Sequence, residues 1–459
     1  MAPLGHRKLR YRPLVPAVFK PSSETGRFPD EGSFLHSLAA RLFPINRSIT
    51  GNGVRLTLSA LAKYLPELRM HEVPSGQRVL DWSIPDEWNV SAAFIKDSTG
   101  AKVVDIADCN LHLVSYSEPV EQRMSLSDLQ PRLHFDPEHR AAIPYVTSYY
   151  NRTWGFCISA EQLDQLEEDT YLAVVDSVLD PGSLTYADLV IPGETDAEVL
   201  ISTYVCHPSL ANNELSGPMV ALGLALWLRK LPHRRYTYRF VFAPETIGAI
   251  TYIDQNLETL RSKVVAGINL TCIGDDGDYS YLASRLGDSP LDRIAQRQVR
   301  KRPGAVKYTY LDRGSDERHY AMPGVDVPMI SLMRTKYGEY PEYHTHLDDL
   351  TVVTPTGLQG GLDLVRDCIQ DLESTDFLQS TVLGEPQLGR RNLYHTMHAR
   401  TVADEVLVRT HILAYADGSH SVDDLADMLE LPTETIQEFV DELIAHDLLV
   451  AGPLHRPRS

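Results

Sequence analysis

Cysteine is scarce in this sequence of 459 residues, and its spacing matches no disulfide or metal-binding motif. The five cysteines are scattered, odd in number and without a Cys-x-x-Cys pair, and they are Cys109, Cys157, Cys206, Cys272 and Cys368. This pattern argues against a disulfide scaffold and against a zinc site built from cysteine alone. We therefore expect a protein of a reducing compartment, the cytoplasm.

Long apolar runs and an excess of positive charge are also lacking. No stretch of about 18 apolar residues is uninterrupted, as a membrane-spanning helix would require. Asp and Glu number 62 against 43 Lys and Arg, which gives a formal net charge of -19. Such a charge repels nucleic-acid backbones and anionic lipid headgroups. We expect neither nucleic acid nor a membrane as a partner.

Composition and patterning predict a globular chain with four parts. With 43% hydrophobic and 23% charged residues, the sequence is typical neither of a disordered nor of a repetitive protein. Its beginning is rich in Pro, Ser, Gly and Arg without periodicity, which is typical of a flexible arm. The predicted parts are this flexible arm (1–32), an α/β domain (33–70 and 161–384), an inserted β-rich domain (71–160) and a winged-helix-like domain (385–459).

The longest part is predicted to form an α/β core. Apolar runs rich in β-branched residues alternate with helical stretches, and these runs span 199–205, 238–242, 264–273 and 327–332. The alternation is typical of a mixed, mainly parallel sheet with helices on both faces. Because ligands bind at the carboxyl ends of strands in such sheets, polar residues directly after these runs are the first candidates for a site.

The C-terminal part predicts two helices and a short pair of strands, as in a winged helix. Ser421 and Asp424 have the spacing of a capping box, and Thr433 starts a second amphipathic stretch. The candidate recognition helix is acidic, with Glu434 and Glu438 among its residues, which is the wrong charge for DNA. We interpret this part as a structural or protein-contact module.

Two polar residues follow predicted strands of the core. His207 comes directly after the run 199–205, where an imidazole can serve as a metal ligand or an acid–base group. A lone histidine at such a place is more often an ordinary loop residue. Glu245 follows the run 238–243, and it is either a general base or a helix N-terminal residue stabilised by the helix dipole.

The densest group of polar residues stands in 314–318 and 337–349. Histidines, carboxylates and tyrosines are close enough there to line one pocket, although a surface loop is the alternative. The members considered as site residues are Asp316, Glu317, Tyr340, Glu342, Tyr343, His344 and Asp348.

The order of these motifs resembles the co-catalytic zinc aminopeptidases of the M28 type. The motifs are His207, Asn213-Glu214-x-Ser216-Gly217, Glu245-x-x-Gly248, Asn269-Leu270-x-x-Ile273-Gly274, Ser315-Asp316 and His344-Thr345-x-x-Asp348. Three longer stretches, 42–51, 206–209 and 337–345, resemble a bacterial branch of that group, the DUF4910 aminopeptidase-like proteins. This second resemblance covers nearly the whole chain from residue 33.

The resemblance implies a three-layer α/β/α aminopeptidase-like core, an inserted DUF2172 domain and a C-terminal winged helix. In M28 enzymes two zinc ions are held by two His and three carboxylates, and a further Glu accepts the proton of the attacking water. Carried over by position, His207 and His344 fall on the two histidine ligands and Glu245 falls on the general base.

The three carboxylate ligands of the M28 pattern are replaced in this chain. Their positions fall on Asn213, Thr246 and Thr271. Two zinc ions about 3.5–4 Å apart need carboxylates to offset their repulsion, so we expect one zinc ion per chain or none. Glu214, adjacent to Asn213, is the substitute ligand expected beside the two histidines.

These assignments lead to one main hypothesis and two alternatives. The main hypothesis is metal-dependent hydrolysis of an amide bond in a small peptide or aminoacyl metabolite, with Glu245 as the catalytic base. Asn213 and the acidic and tyrosine residues of 314–318 and 337–349 would bind the substrate. The alternatives are a binding or scaffold protein that keeps the fold without metal, and amide formation by acyl transfer at the same site. Whether the chain forms a homo-oligomer stays open.

Overall fold

The computed structural model describes residues 30–393 and 400–455. In chain order, its strands are β1 (Arg69–Pro74), β2 (Arg78–Val79), β3 (Trp82–Ser83), β4 (Glu87–Lys96), β5 (Lys102–Asp105), β6 (Val120–Ser125), β7 (Leu133–His134), β8 (Phe156–Cys157), β9 (Thr170–Asp180), β10 (Ser183–Ile191), β11 (Glu198–Tyr204), β12 (Thr237–Ala243), β13 (Val264–Leu270), β14 (Tyr279–Leu282), β15 (Ala305–Tyr308), β16 (Met329–Met333), β17 (Phe377–Ser380), β18 (Asp417–Ser421) and β19 (Leu449–Gly452). Its α-helices are α1 (Glu31–Leu42), α2 (Asn52–Ala62), α3 (Leu126–Leu129), α4 (Ala160–Leu163), α5 (Ser216–Leu228), α6 (Ile247–Lys263), α7 (Pro290–Arg300), α8 (Glu317–Tyr320), α9 (Pro355–Ser374), α10 (Arg400–Tyr415), α11 (Val422–Leu429) and α12 (Thr433–Ala445).

The predicted flexible arm falls almost entirely outside the described residues. The first described helix, α1, starts at Glu31, and its N-cap Asp30 accepts a hydrogen bond from the backbone N–H of Ser33. Helix α1 therefore begins slightly before the predicted boundary at residue 33. None of the helices within 30–393 and 400–455 combines the length and the apolar character needed to cross a bilayer.

The core is an eight-stranded sheet in the order β1-β10-β12-β11-β13-β16-β14-β15. Its centre, from β12 to β16, is parallel, because apolar runs buried on both faces are joined by crossover helices. The strands β1 and β10 at one edge and β14 next to β16 run antiparallel. The predicted mixed, mainly parallel sheet is confirmed.

Helices cover both faces of this sheet and make three layers. Successive residues of a strand point to opposite faces, so Val199 and Ile201 lie in one hydrophobic core while Leu200 lies in the other. The first core is shared with α1, α2, α5, α7 and α9, and the second with α6. Helix α5 is apolar on all sides because it lies between the sheet and the helices α1 and α9. The α/β/α architecture is confirmed.

The inserted β-rich domain is built around a four-stranded antiparallel sheet in the order β5-β4-β9-β6. Strand β9 reaches Asp180, so this sheet extends past the predicted boundary at 160. Strand β1, in contrast, pairs with β10 of the core rather than with the insert. The alternating pattern of 170–180 does not show which sheet a strand joins, and tertiary pairing decides it.

The C-terminal domain contains a three-stranded sheet, β18-β17-β19, packed with α10, α11 and α12 around one core. Strand β17 begins at Phe377, slightly before the predicted boundary at 385. The predicted capping box of Ser421 and Asp424 is present at α11. The Asp424 carboxylate also contacts two arginines of α7 in the core domain, with distances of 3.2 Å to Arg293 Nε and 2.8 Å to Arg297 Nη1.

Candidate active site

The two parallel strands β11 and β12 end side by side and place His207 and Glu245 together. Tyr204 pairs with Ala243 at the ends of the two strands, and each strand then continues into a loop. His207 Nε2 lies 3.4 Å from Glu245 Oε2. The His207 side chain is 2% exposed, whereas the Glu245 side chain is 24% exposed. The two groups therefore meet at the carboxyl edge of the sheet, where α/β proteins bind ligands.

The loop 337–349 brings His344 to the same point. The ring centroids of His344 and His207 are 5.8 Å apart, and Tyr343 stacks on His344 at 3.9 Å. Burial and the nearby His207 lower the pKa of His344 to about 3. The imidazole of His344 is therefore neutral at physiological pH and has a free lone pair.

Glu214 lies on the other side of the His207 ring. A single turn of π-helix, Ala211–Leu215, carries this carboxylate into the interior. Its Oε2 accepts the backbone N–H groups of Cys206 (3.1 Å) and His207 (2.8 Å), and it lies 3.0 Å from His207 Nδ1. Its Oε1 lies 3.1 Å from Nε of Arg47, which is also fully buried. Glu214 thus engages Nδ1 of His207 and leaves Nε2 directed at Glu245.

The three positions that replace family carboxylates are filled by neutral, hydrogen-bonded side chains. Asn213 Nδ2 donates to the Tyr204 hydroxyl at 2.7 Å, and the same hydroxyl lies 2.5 Å from Thr271 Oγ1. The Thr246 hydroxyl accepts a hydrogen bond from Arg318 at 3.0 Å. None of these groups carries a negative charge that could offset a second metal ion.

Two acidic residues expected to bind substrate are engaged inside the protein instead. The carboxylate of Glu317 is fully buried and accepts hydrogen bonds from Gly314 N, Ser315 N, Tyr337 OH, Asn269 Nδ2 and Ser331 Oγ. The carboxylate of Asp348 is also fully buried and accepts from Asn212 N, Asn213 N and Tyr340 OH. Because their oxygens already have partners, these two residues hold the loops of the site in place, and a role in substrate binding stays a prediction for them.

Asp316 remains close to the reacting groups. It accepts the backbone N–H of Thr246 at 2.8 Å. Burial, with the neighbouring negative charge of Glu245, raises the pKa of Asp316 well above its usual range. Of the two carboxyl groups, that of Glu245 is the more exposed.

The remaining predicted residues differ in how closely they approach the histidines. Tyr343 contacts His344 directly, and Tyr340 packs edge-on against Tyr343 with ring centroids 5.7 Å apart. Glu342 is partly exposed and is held through its backbone carbonyl, which accepts the N–H and the hydroxyl of Thr345.

The inserted domain contributes two tyrosines that the sequence did not reveal. The ring of Tyr145 packs edge-on against both His207 and His344, at centroid distances of 5.2 and 5.4 Å. Its hydroxyl lies 3.3 Å from that of Tyr149. Neither tyrosine follows a strand of the core sheet, so a position directly after a core strand, the feature that marked His207 and Glu245, does not mark them. The one signal in the sequence was the concentration of tyrosine in 145–150.

Five of the eleven non-glycine residues with positive φ among the described residues lie in the loops of this site. Positive φ angles occur at Ser209, Thr246, Cys272 and His344 in the core loops and at Tyr149 in the insert, with values from 40° to 63°. Side chains with a Cβ rarely adopt this region, and such strain is kept where surrounding contacts impose it, often at functional sites.

The residues present do not fit two metal ions. Among the described residues, Cys206, His207 and Glu214 have potential ligand atoms within 4.8 Å of one another. Glu214 Oε2 already accepts two backbone N–H groups, and the Arg47 guanidinium beside Oε1 would repel a cation, so this set is a poor metal site. The other candidate ligands are the two histidine rings, whose centroids are 5.8 Å apart, with Glu245 Oε2 lying 3.4 Å from His207 Nε2. A two-ion centre lacks its three carboxylates.

The fold and the site define an aminopeptidase-like α/β/α protein with a winged-helix domain. Residues 36–375 match the model of the Domain of unknown function (DUF4910), and residues 376–451 match a winged helix-turn-helix model. The chain belongs to the DUF4910 family. The predicted resemblance to this family and to the M28 fold is confirmed.

The similar proteins include a relative from Clostridium acetobutylicum. It is 39% identical over 432 residues, covering 93% of this chain and 97% of the relative, and it is named for polysaccharide biosynthesis with an aminopeptidase-like domain. A crystal structure from the same organism, named as that of a peptidase, is 39% identical over 92% of this chain and 96% of that chain, with a TM-score of 0.76.

More distant structures share the fold alone. A zinc aminopeptidase from Bacillus subtilis is 12% identical over 75% of this chain and 95% of its own, with a TM-score of 0.54. A peptidase M28 precursor from Shewanella amazonensis is 14% identical over 78% of this chain and 98% of its own, with a TM-score of 0.51.

Proposed function

We propose that this protein is a hydrolase of aminopeptidase type that cleaves an amide bond in a small peptide or an aminoacyl metabolite. The observation that carries the proposal is the alignment of Glu214, His207 and Glu245, in which one carboxylate engages Nδ1 of the imidazole and another faces Nε2. Metal-bound histidines commonly have such a carboxylate partner on the ring nitrogen that does not bind the metal. The aminopeptidase-like domain of the Clostridium relative supports the same reaction class.

Two histidines would hold one zinc ion in this proposal. Nε2 of His207 and the neutral imidazole of His344 are the ligands, and Glu214 orients His207 rather than binding the metal itself. When bound, zinc polarises the amide carbonyl and acidifies a water molecule. Burial lowers the pKa of His207, but Cys206, Tyr145 and Glu214 raise it by more, so metal and proton compete for Nε2.

Glu245 would move the proton. Its carboxylate lies next to Nε2 of His207, and because it is partly exposed, a water molecule can reach it. It takes a proton from the attacking water and gives it to the departing amine. Tyr145 and Tyr343, whose rings contact the histidines, would form walls for the substrate, and the negative charge of Glu245 favours substrates with a free ammonium group.

The direct test is activity with and without zinc in the wild type and in Glu245→Gln. A panel of aminoacyl anilides and dipeptides should be hydrolysed in a zinc-dependent manner, with a loss of about 100-fold or more in kcat for Glu245→Gln. Glu258→Gln is the matched control, because Glu258 is exposed on α6, away from the site, and should keep full activity. No zinc-dependent turnover of any member of the panel would contradict the proposal.

A second candidate is a binding protein that keeps the fold without catalysis. The neutral network around Tyr204 favours it, because two of the three replaced metal ligands of the fold, Asn213 and Thr271, hydrogen-bond to the same tyrosine hydroxyl. Purified protein without metal, together with unchanged ligand binding in Glu245→Gln, would support this candidate. For acyl transfer, the third alternative, the expected result is that product forms only after a second amine is added.

A further inference from the structure

Arg47 is a fully buried arginine that reaches the back of the candidate site. It lies in the loop between α1 and α2, 160 residues before His207 in the sequence. Its Nε donates to the backbone carbonyl of His207 at 2.9 Å and lies 3.1 Å from Glu214 Oε1. Its Nη1 donates to the carbonyl of Leu42 at 2.8 Å, at the end of α1. Arg47 thus contacts both the main chain of His207 and the carboxylate that engages its ring.

We propose that Arg47 is a positioning residue, which holds Glu214 so that the imidazole of His207 presents Nε2 to the site. The inference rests on the proposed function for the use of Nε2, while the contacts themselves do not depend on it. It also assigns a purpose to the arginine of the stretch 42–51, which resembles a motif of the family.

The charge arrangement explains why an arginine is needed at this position. The side chains of Glu214 and Arg47 are both 0% solvent-exposed, so the Glu214 carboxylate lies in the low-dielectric interior. An unpaired buried carboxylate is unfavourable, and it would seek protonation or another partner. With the guanidinium on Oε1, the charge of Glu214 is compensated, and Oε2 stays available to Nδ1 of His207.

Neighbouring contacts hold the same loop against the site and the insert. Ser209 Oγ donates to the carbonyl of Phe43 at 2.9 Å. Asn110 Nδ2, from the inserted domain, donates to Ser209 Oγ at 2.7 Å and to the carbonyl of Pro44 at 3.1 Å. The loop of Arg47, the loop of His207 and the insert therefore form one connected unit, so a change at Arg47 is transmitted to the ring of His207.

The test compares Arg47→Met with a matched control, Arg239→Met. Arg239 forms another largely buried ion pair, with Glu198 at the opposite end of β11, and its Nε lies 2.5 Å from Glu198 Oε2. Both variants remove a buried cation and should lower the unfolding midpoint. Only Arg47→Met should also weaken zinc binding, by about 10–100-fold in a chelator competition.

A second measurement uses the metal-free protein. In histidine-labelled protein, the Nδ1 proton of His207 should give a slowly exchanging NMR signal, which is assigned by its loss in His207→Gln. We expect this exchange to accelerate about tenfold or more in Arg47→Met and to stay unchanged in Arg239→Met. Unchanged exchange in Arg47→Met, with zinc affinity within about twofold of the wild type, would overturn the proposal.

Arg47→Lys covers the case in which Arg47→Met does not fold. A lysine keeps the positive charge beside Glu214 but cannot also donate to the carbonyls of His207 and Leu42. It should restore folding and give an intermediate exchange rate for the Nδ1 proton, whereas wild-type exchange would refute the positioning role. If the wild type binds no zinc, the proposed hydrolase fails, while the proton measurement still decides the role of Arg47.

Discussion

Replacing Glu317 by Gln should destabilise the protein by about 2–5 kcal/mol without affecting ligand binding. The reason is the set of five donors around this buried carboxylate, namely Gly314 N, Ser315 N, Tyr337 OH, Asn269 Nδ2 and Ser331 Oγ. A glutamine has one oxygen and one NH2 group, so it cannot accept from both sides of the carboxylate.

The magnitude follows from the better of the two amide orientations. With its oxygen on the side of the two backbone N–H groups and Tyr337, the new NH2 faces Asn269 and Ser331. The Ser331 hydroxyl can turn and accept, but Asn269 Nδ2 loses its shortest acceptor, at 3.0 Å, which costs about 1–3 kcal/mol. The three hydrogen bonds from Gly314 N, Ser315 N and Tyr337 OH keep an acceptor, but this acceptor is no longer charged. Their weakening accounts for the rest of the loss of about 2–5 kcal/mol.

Urea unfolding of the wild type and the variant measures this loss. Glu342→Gln is the control, because Glu342 is partly exposed and its contacts run through the backbone carbonyl, so a change within about 0.5 kcal/mol is expected. A loss below about 1 kcal/mol for Glu317→Gln, or weaker ligand binding with unchanged stability, would refute the structural role derived from the contacts.

Two further predictions concern pH and domain docking. The pKa of His344 is about 3 in the folded protein and 6.5 for an unperturbed histidine. The neutral imidazole therefore contributes its stability above pH 6.5, and this contribution is lost as the pH falls towards 3. His344→Gln should reduce the loss of unfolding free energy between pH 7 and 4 by up to about 3 kcal/mol. A larger acid sensitivity in the variant would contradict this sign. Asp424→Asn should weaken the contact of the winged helix with Arg293 and Arg297, and lower the unfolding midpoint of that domain in calorimetry, whereas the exposed neighbour Asp423→Asn should not. Equal midpoints in the two variants would argue against a docking role for Asp424.

Local patterns in the sequence were sufficient for many elements of the fold. The start of α12 at Thr433 and the capping box at Ser421 follow from residue type and spacing, because caps and amphipathic faces are local properties. Domain boundaries were less accurate, since the partner of a strand such as β9 is far away in the sequence.

The candidate site was predicted in part. The positions of His207 and Glu245 after strands were informative because parallel strands end at a common edge. The internal contacts of Glu317 and Asp348 could not be predicted, because the sequence does not show whether a carboxylate faces a ligand or hydrogen-bond donors inside the protein. Glu214 was expected to be a metal ligand beside the two histidines, but only the coordinates reveal that it lies on the Nδ1 side of the His207 ring.

By itself, the sequence determined the class of the protein, the order of its elements and the replacement of three carboxylates by Asn213, Thr246 and Thr271. These properties depend on residue identity and on periodicity along the chain. Only the tertiary structure decided that Arg47 and Tyr145, from segments distant in sequence, surround the same imidazole. Such convergence depends on how separate domains pack and on which hydrogen-bond donors each buried charge finds, and neither is encoded in any local pattern.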